Sequence, residues 1–116
     1  MASVESLANQ VQTNLIHYNF WTKVKIHDIN NGLKAVIGLP PSKLDSNDEE
    51  DQPEWVIPRS LVSNSSISVK EINEWFTGIA ILEEKRPKRI TIGIVNDDGT
   101  VVYYFIHDGI VKPRQN

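Results

Sequence analysis

Apolar residues recur along this chain in two rhythms, and each change of rhythm marks a new element. After Ser3, the residues Val4, Leu7, Ala8, Val11, Leu15 and Tyr18 return every three or four positions. That spacing predicts an amphipathic helix over residues 4–18, with Ser3 as its N-cap. From Phe20 to Ile29 the rhythm shortens to two. Phe20, Thr22, Val24 and Ile26 share one face; Trp21, Lys23, Lys25 and His27 share the other. This is a strand with one wet side. Asn30-Asn31-Gly32 is a turn, Leu33 to Leu39 the returning strand of a hairpin, and Pro40-Pro41 its end. Residues 54–58 (EWVIP) form a short strand. Ser68 and Glu71 make an S-x-x-E capping box ahead of a second helix. Its buried stripe is Val69, Ile72, Trp75, Phe76, Ile79 and Ala80, and it frays near residues 83–86, ahead of Pro87. Residues 89–96 (RITIGIVN) are nearly all apolar, which predicts a strand buried on both faces, with Gly93 marking close approach by a neighbour. Asp98-Gly99 is a hairpin turn, and residues 100–106 (TVVYYFI) are the last strand. Asp108-Gly109 then turns the chain again, and Val111-Lys112-Pro113 ends it.

The order helix, three strands, helix, two strands predicts an α/β (α+β) fold. It is a single small domain over residues 1–116, with a mixed, mostly antiparallel sheet and two helices in the order α-β-β-β-α-β-β. Residues 42–53 (SKLDSNDEEDQP) stand outside this pattern. They are polar, acidic and without periodicity, so the expectation is a mobile surface loop with few buried contacts. The last strand is the most informative element. Val101, Tyr103 and Phe105 point one way, and Val102, Tyr104 and Ile106 the other, so both faces are large and apolar. Such a strand is either central in a two-sided core or an edge that a partner covers.

Composition narrows the chemistry. At 116 residues, with 40% hydrophobic and 23% charged residues, the chain can close one core without covalent staples. It has no cysteine, which excludes disulfides, thiolate metal sites and a cysteine nucleophile, and fits a reducing compartment. No apolar run is long enough for a membrane span, and MASVESLANQ lacks the basic-then-apolar order of a secretory signal. The sequon Asn64-Ser65-Ser66 is accordingly read as unglycosylated. A net charge of −3 argues against a free-standing nucleic-acid binder, but the distribution is uneven. Residues 40–58 carry one lysine against six carboxylates, and residues 85–116 six Lys/Arg against three aspartates. That division suggests two different surfaces.

Each chemical motif has an ordinary reading beside it. His27-Asp28 and His107-Asp108 look like relay fragments, yet adjacent residues on a strand face opposite sides, so neither aspartate orients its neighbour. No histidine pair has helical metal-site spacing. Glu83-Glu84-Lys85 contains the E-x-K of metal-dependent nucleases, but at a helix end and without a placed aspartate. Residues 45–50 have carboxylates enough for Ca²⁺ and lack the glycine at the sixth loop position. No metal or cofactor is expected. Lys85, Arg86, Lys88 and Arg89 form a basic cluster suited to a phosphate backbone, or to an ordinary charged connector. No aromatic residue interleaves with them, so base stacking is not indicated.

The run ITIGIVNDDGTVVYYFIHDGIVKP closely resembles the C-terminus of the smallest, non-catalytic subunit of the eukaryotic tRNA-splicing endonuclease, the family called Sen-fifteen, in a yeast-like version. NLIHYNFWTKVKI and GLPPSKL are similar more weakly. The resemblance implies a tRNA-endonuclease domain, related to the restriction-endonuclease fold, in a complex of two nucleases and two structural subunits. The family's nucleases use Tyr, His and Lys without metal: the RNA 2′-hydroxyl attacks the adjacent phosphate and leaves a 2′,3′-cyclic phosphate and a 5′-hydroxyl. Lys88 or Arg89 falls near the nuclease lysine. Residues 54–68, where the Tyr and His belong, contain neither residue, and no glycine. The chain thus looks like a structural subunit. By the same resemblance, the last strand (Val101, Val102, Tyr103, Tyr104, Phe105, Ile106) should pair with the catalytic subunit for the 3′ splice site. The turn Asn96-Asp97-Asp98-Gly99 should enter a basic pocket on the other heterodimer, and pre-tRNA should be met through the complex, with Lys85, Arg86, Lys88 and Arg89 as candidate contacts. Expected placement is the nucleus, or the cytosolic face of the mitochondrial outer membrane. In isolation the last strand should pair with itself as a homodimer. Two rival readings remain open: a metal-independent RNase active alone through His107, Tyr103 or Tyr104, and Lys88; and a homodimeric interaction module unrelated to RNA.

Overall fold

The structure, a computed structural model, describes residues 3–29, 32–46, 48–61 and 67–108. Two helices and five strands follow the predicted order: α1 (Val4–His17), β1 (Thr22–Ile29), β2 (Leu33–Leu39), β3 (Glu54–Ser60), α2 (Val69–Glu83), β4 (Arg89–Val95) and β5 (Val101–His107). The strands form one mixed sheet in the order β1-β2-β3-β4-β5. Only β3 and β4 run parallel, because α2 carries the chain back between them; the other neighbours are antiparallel. The predicted Asn30-Asn31 turn, the Asn64-Ser65-Ser66 sequon and the C-terminal Gly109 and Val111-Lys112-Pro113 lie outside the described residues.

The helices cover opposite faces of the sheet, and alternation along each strand sorts the side chains between them. Ala35, Trp55, Ile57, Ile90 and Ile92 pack with Trp75, Phe76 and Ile79 of α2. Val36, Val56 and Val95 pack with Leu7, Ala8, Val11 and Leu15 of α1. Ser3 caps α1 by accepting from the Ser6 N–H, and Ser68 and Glu71 close the predicted capping box of α2. Glu84 ends α2 in the left-handed conformation. β4 is buried on both faces, and Gly93 is closely approached by its neighbours: a Cβ there would stand 3.1 Å from the Tyr103 ring, 3.2 Å from Val56 and 3.4 Å from Val11 of α1. β3 runs two residues beyond its predicted end and contains Pro58. Its pairing with β2 has already stopped at Val56, so the missing proline N–H breaks no β2 bond.

Two expectations need correction. In β1, three steps from Thr22 to Lys25 match two steps from Leu39 to Ile37, so one residue bulges, with Lys23 at φ 54°. A bulge inverts the alternation beyond it. Trp21 therefore joins Val24 and Ile26 under α1, while Phe20, assigned to their face by strict alternation, is exposed at φ 60°. The second correction concerns residues 42–53. Asp48 is buried and ion-paired to β4, and Leu44 packs against the α1-side core, so this acidic segment does make buried contacts.

Candidate partner interface

β5 is an edge strand. It pairs along its whole length with β4, from Arg89↔His107 to Val95↔Val101, and among the described residues no strand follows it in the sheet order. Among the described residues nothing pairs with its outer side, where N–H and C=O groups form an open ladder of donors and acceptors. The six apolar residues expected to face a partner divide into two groups. Val101 and Tyr103 pack against the α1-side core, and Ile106 against the α2-side core. Val102, Tyr104 and Phe105 stay in solvent, with Tyr104 56% and Phe105 50% exposed.

Tyr103 therefore belongs more to the domain than to a partner. Its hydroxyl donates to Asn14 Oδ1 at 2.7 Å, and burial pushes its phenol well above the usual tyrosine range. Phe105 lies on the same face, nearer the end of the strand. The Arg89 guanidinium sits 5.1 Å from its ring centroid, a cation–π contact that holds one side of the ring.

The turn after β4 is held by its own polar groups. Asn96 N–H donates to Thr100 O at 2.8 Å, and Gly99 N–H to Asn96 O at 3.0 Å. Gly99 takes φ +91°, which glycine adopts without steric cost. Asp98 Oδ1 accepts from the Thr100 hydroxyl at 2.7 Å and the Thr100 N–H at 3.0 Å, and these bonds hold its pKa below the usual aspartate value. Asp98 is thus engaged inside the turn. Asp97, also exposed, carries the outward charge.

The basic cluster is dispersed by the fold. Arg89 is buried and donates from Nε and NH2 to Glu54, at 3.1 and 2.8 Å, and from NH2 to Asp48 at 2.7 Å. Burial and its engagement by Glu54 and Asp48, with Phe105 alongside, make it a structural ion pair rather than a surface cation open to a phosphate. Lys88 pairs with Asp48 Oδ1 at 2.9 Å while remaining half-exposed. Arg86 bonds Asp108 at 2.8 Å and Asn73 at 2.9 Å and lies over the Phe76 ring. Lys85 is exposed.

The histidines do not converge. His27 is on β1 and His107 on β5, the two opposite edges of the sheet, and His17 ends α1. The neighbouring aspartates serve lysine and arginine instead: Asp28 pairs with Lys34, and Asp108 with Arg86. Among the described residues no three His, Asp or Glu side chains come together as a metal-ligand set, and no helix is long and apolar enough to cross a membrane.

With this geometry in hand, comparison with known proteins is decisive. The Sen15 protein family model matches residues 10–116, which include all five strands. The chain belongs to the Sen15 family. A relative from Eremothecium gossypii, named tRNA-splicing endonuclease subunit SEN15, is 33% identical over 108 residues, covering 91% of this chain and 87% of that protein. A Neurospora crassa protein, named probable tRNA-splicing endonuclease subunit tsp-1, is 32% identical over 151 residues, covering 97% of this chain and 67% of its own length. One from Schizosaccharomyces pombe, named probable tRNA-splicing endonuclease subunit sen15, is 28% identical over 116 residues, covering 91% and 80%.

The Sen15 match spans the edge strand, the turn and the buried Arg89 cluster alike. Sequence reasoning missed three residues of this region. Asp48 was absorbed into an acidic run, although Arg89 sits on a strand that is otherwise apolar, which signals a buried charge in need of a partner. Asn14 on α1 and Tyr18 at its C-cap line grooves beside the turn, and no local pattern places α1 there.

Proposed function

We propose that this chain is a non-catalytic, structural subunit of the tRNA-splicing endonuclease, acting in the removal of introns from pre-tRNA. The observation that carries the reading is β5: an edge strand with an open backbone ladder and three large apolar side chains in water. A catalytic subunit, which the family resemblance gives as the one for the 3′ splice site, adds its own strand to that ladder and buries Val102, Tyr104 and Phe105. The turn Asn96–Gly99 projects toward the other heterodimer, with Asp97 as the charge that meets a basic pocket. Any contact with pre-tRNA from the basic cluster falls to Lys85 and Lys88. Placement follows the complex, in the nucleus or on the cytosolic face of the mitochondrial outer membrane, and imaging the tagged chain distinguishes them.

The non-catalytic reading is supported by what the candidate groups are doing. A general base must be able to lose its proton near the operating pH. Tyr103 is half-buried, bonded to Asn14 and shifted the wrong way, and Lys88 is paired with Asp48. Of the groups named for an RNase active alone, Tyr103 is thereby unsuited and Lys88 is already engaged, which leaves Tyr104 and His107. The test is co-purification with a tagged catalytic subunit. Tyr104→Ala should weaken capture about tenfold or more, the effect of losing one aromatic anchor, while the free chain melts as before. Undiminished capture by Tyr104→Ala and Phe105→Ala together would show that β5 is not the partner face. Cyclic-phosphate ends formed by the lone chain on intron-bearing pre-tRNA would overturn the non-catalytic assignment.

A further inference from the structure

The outward face of α1 is unusual for a solvated helix. Among its fourteen residues, VESLANQVQTNLIH, Glu5 is the one Asp, Glu, Lys or Arg; α2 carries Lys70, Glu71, Glu74 and Glu83. In place of the usual lysines and glutamates, α1 presents Ser6, Asn9, Gln10, Thr13 and Asn14. Charge depletion of this kind marks the centre of protein interfaces rather than free surface. Tyr18, which caps the helix, is 76% exposed, and tyrosine is a recurrent anchor at such centres.

The β4–β5 turn stands against the same face, and two adjoining grooves result. One, of about 480 Å³, runs along Asn9, Gln10 and Thr13 to Tyr18 and Gly99. The other, of about 450 Å³, lies between Asn14 and Tyr18 on one side and Asp98, Thr100 and Tyr103 on the other. Asn14, Tyr18 and Gly99 line both. The charged residues lining them are Glu5 in the first and Asp98 in the second, and no Lys or Arg lines either among the described residues. Asp97 adds a further exposed carboxylate on the turn itself.

We infer that the α1 face and the β4–β5 turn form one docking surface, and that its occupant is a cationic, lysine- or arginine-bearing segment of the opposite heterodimer. This rests on the reading above that the turn meets that heterodimer. It adds that the turn does not insert as an isolated peg. The amides and hydroxyls of α1 supply uncharged hydrogen-bonding partners along the groove, the carboxylates set the sign of the guest, and Tyr18 packs over it. Complementary charge of this kind sets partner choice and orientation.

The test uses the complete co-expressed complex, with joining of the two heterodimers followed by sedimentation and native mass spectrometry. Thr13 is exposed, and both Arg and Glu suit a helix at least as well as Thr, so its variants keep the fold. Thr13→Arg and Tyr18→Ala should each weaken joining about tenfold or more, whereas Thr13→Glu, of similar bulk, should leave it within about threefold or tighten it. Equal losses from Thr13→Arg and Thr13→Glu would overturn the charge assignment. Weakening by Asp97→Lys without any effect of Thr13→Arg or Tyr18→Ala would mean that the turn docks alone and this inference is wrong. No effect from any of the variants would remove the proposed role of the turn as well. Tighter pre-tRNA binding by Thr13→Arg, with joining unchanged, would assign the groove to RNA and overturn the protein occupant.

Discussion

Replacing Asp48 by asparagine tests the largest departure from the expected surface loop. Asp48 is buried, and its carboxylate lies between Arg89 NH2 at 2.7 Å and Lys88 Nζ at 2.9 Å. The hydrogen bond from Arg89 leads; burial opposes it, and Lys88 adds to it. Together they hold the carboxyl at about 2, against an ordinary 3.8. A folded-state pKa below the unfolded one means stabilisation that is full above the unfolded value and is lost as pH falls through the folded value. The difference of almost two pH units corresponds to about 2 kcal/mol at neutral pH. Asp48→Asn keeps the shape and one acceptor but removes the charge, and Arg89 retains Glu54. Urea unfolding at pH 7 should therefore show a loss of about 2 kcal/mol, or roughly 8 °C in Tm for a domain of this size. At pH 3 the gap between the two proteins should have shrunk to about half, because the folded wild type is still ionised while its unfolded chain is mostly protonated. A gap that stays constant from pH 7 to pH 3, or a variant as stable as wild type at pH 7, would refute this account of the Asp48–Arg89 pair.

Four further outcomes follow from the geometry. Gly93→Ala should cost about 1–3 kcal/mol in urea unfolding, since its methyl must push back both the Tyr103 ring and Val56 with Val11 already in contact. Tyr103→Phe should cost about 1 kcal/mol by removing the bond to Asn14, and should leave capture of the catalytic subunit unchanged, unlike Tyr104→Ala. Asp98→Ala should speed amide hydrogen exchange in residues 96–100, whereas Asp97→Ala should not, because only Asp98 bonds within the turn. Lys88→Ala should leave pre-tRNA cleavage by the assembled complex within a few fold; a loss of about a hundredfold, or about 2.7 kcal/mol of transition-state stabilisation, would give this lysine a catalytic role.

Features whose physics is local were legible in the sequence alone. The apolar spacing of α1, the Ser68–Glu71 capping box, the two-sided apolar run of β4 and the Asp98-Gly99 turn each lie within a few residues, and each took its expected form. The element order followed from them, and the C-terminal run disclosed the family. Other features arise only when distant segments meet. The β1 bulge depends on register with β2, so alternation alone put Phe20 where Trp21 belongs. The basic cluster came apart because Arg89 finds its carboxylates 35 and 41 residues earlier in the chain. Whether β5 is central or at the edge is a question of sheet order, on which a strand's own side chains carry no information. The charge-poor face of α1 was present in the letters, but only packing set it beside a turn more than eighty residues away. Local propensity and periodicity act over one or two turns of chain. Ion pairing, strand order and groove formation are decided by which surfaces the core brings together.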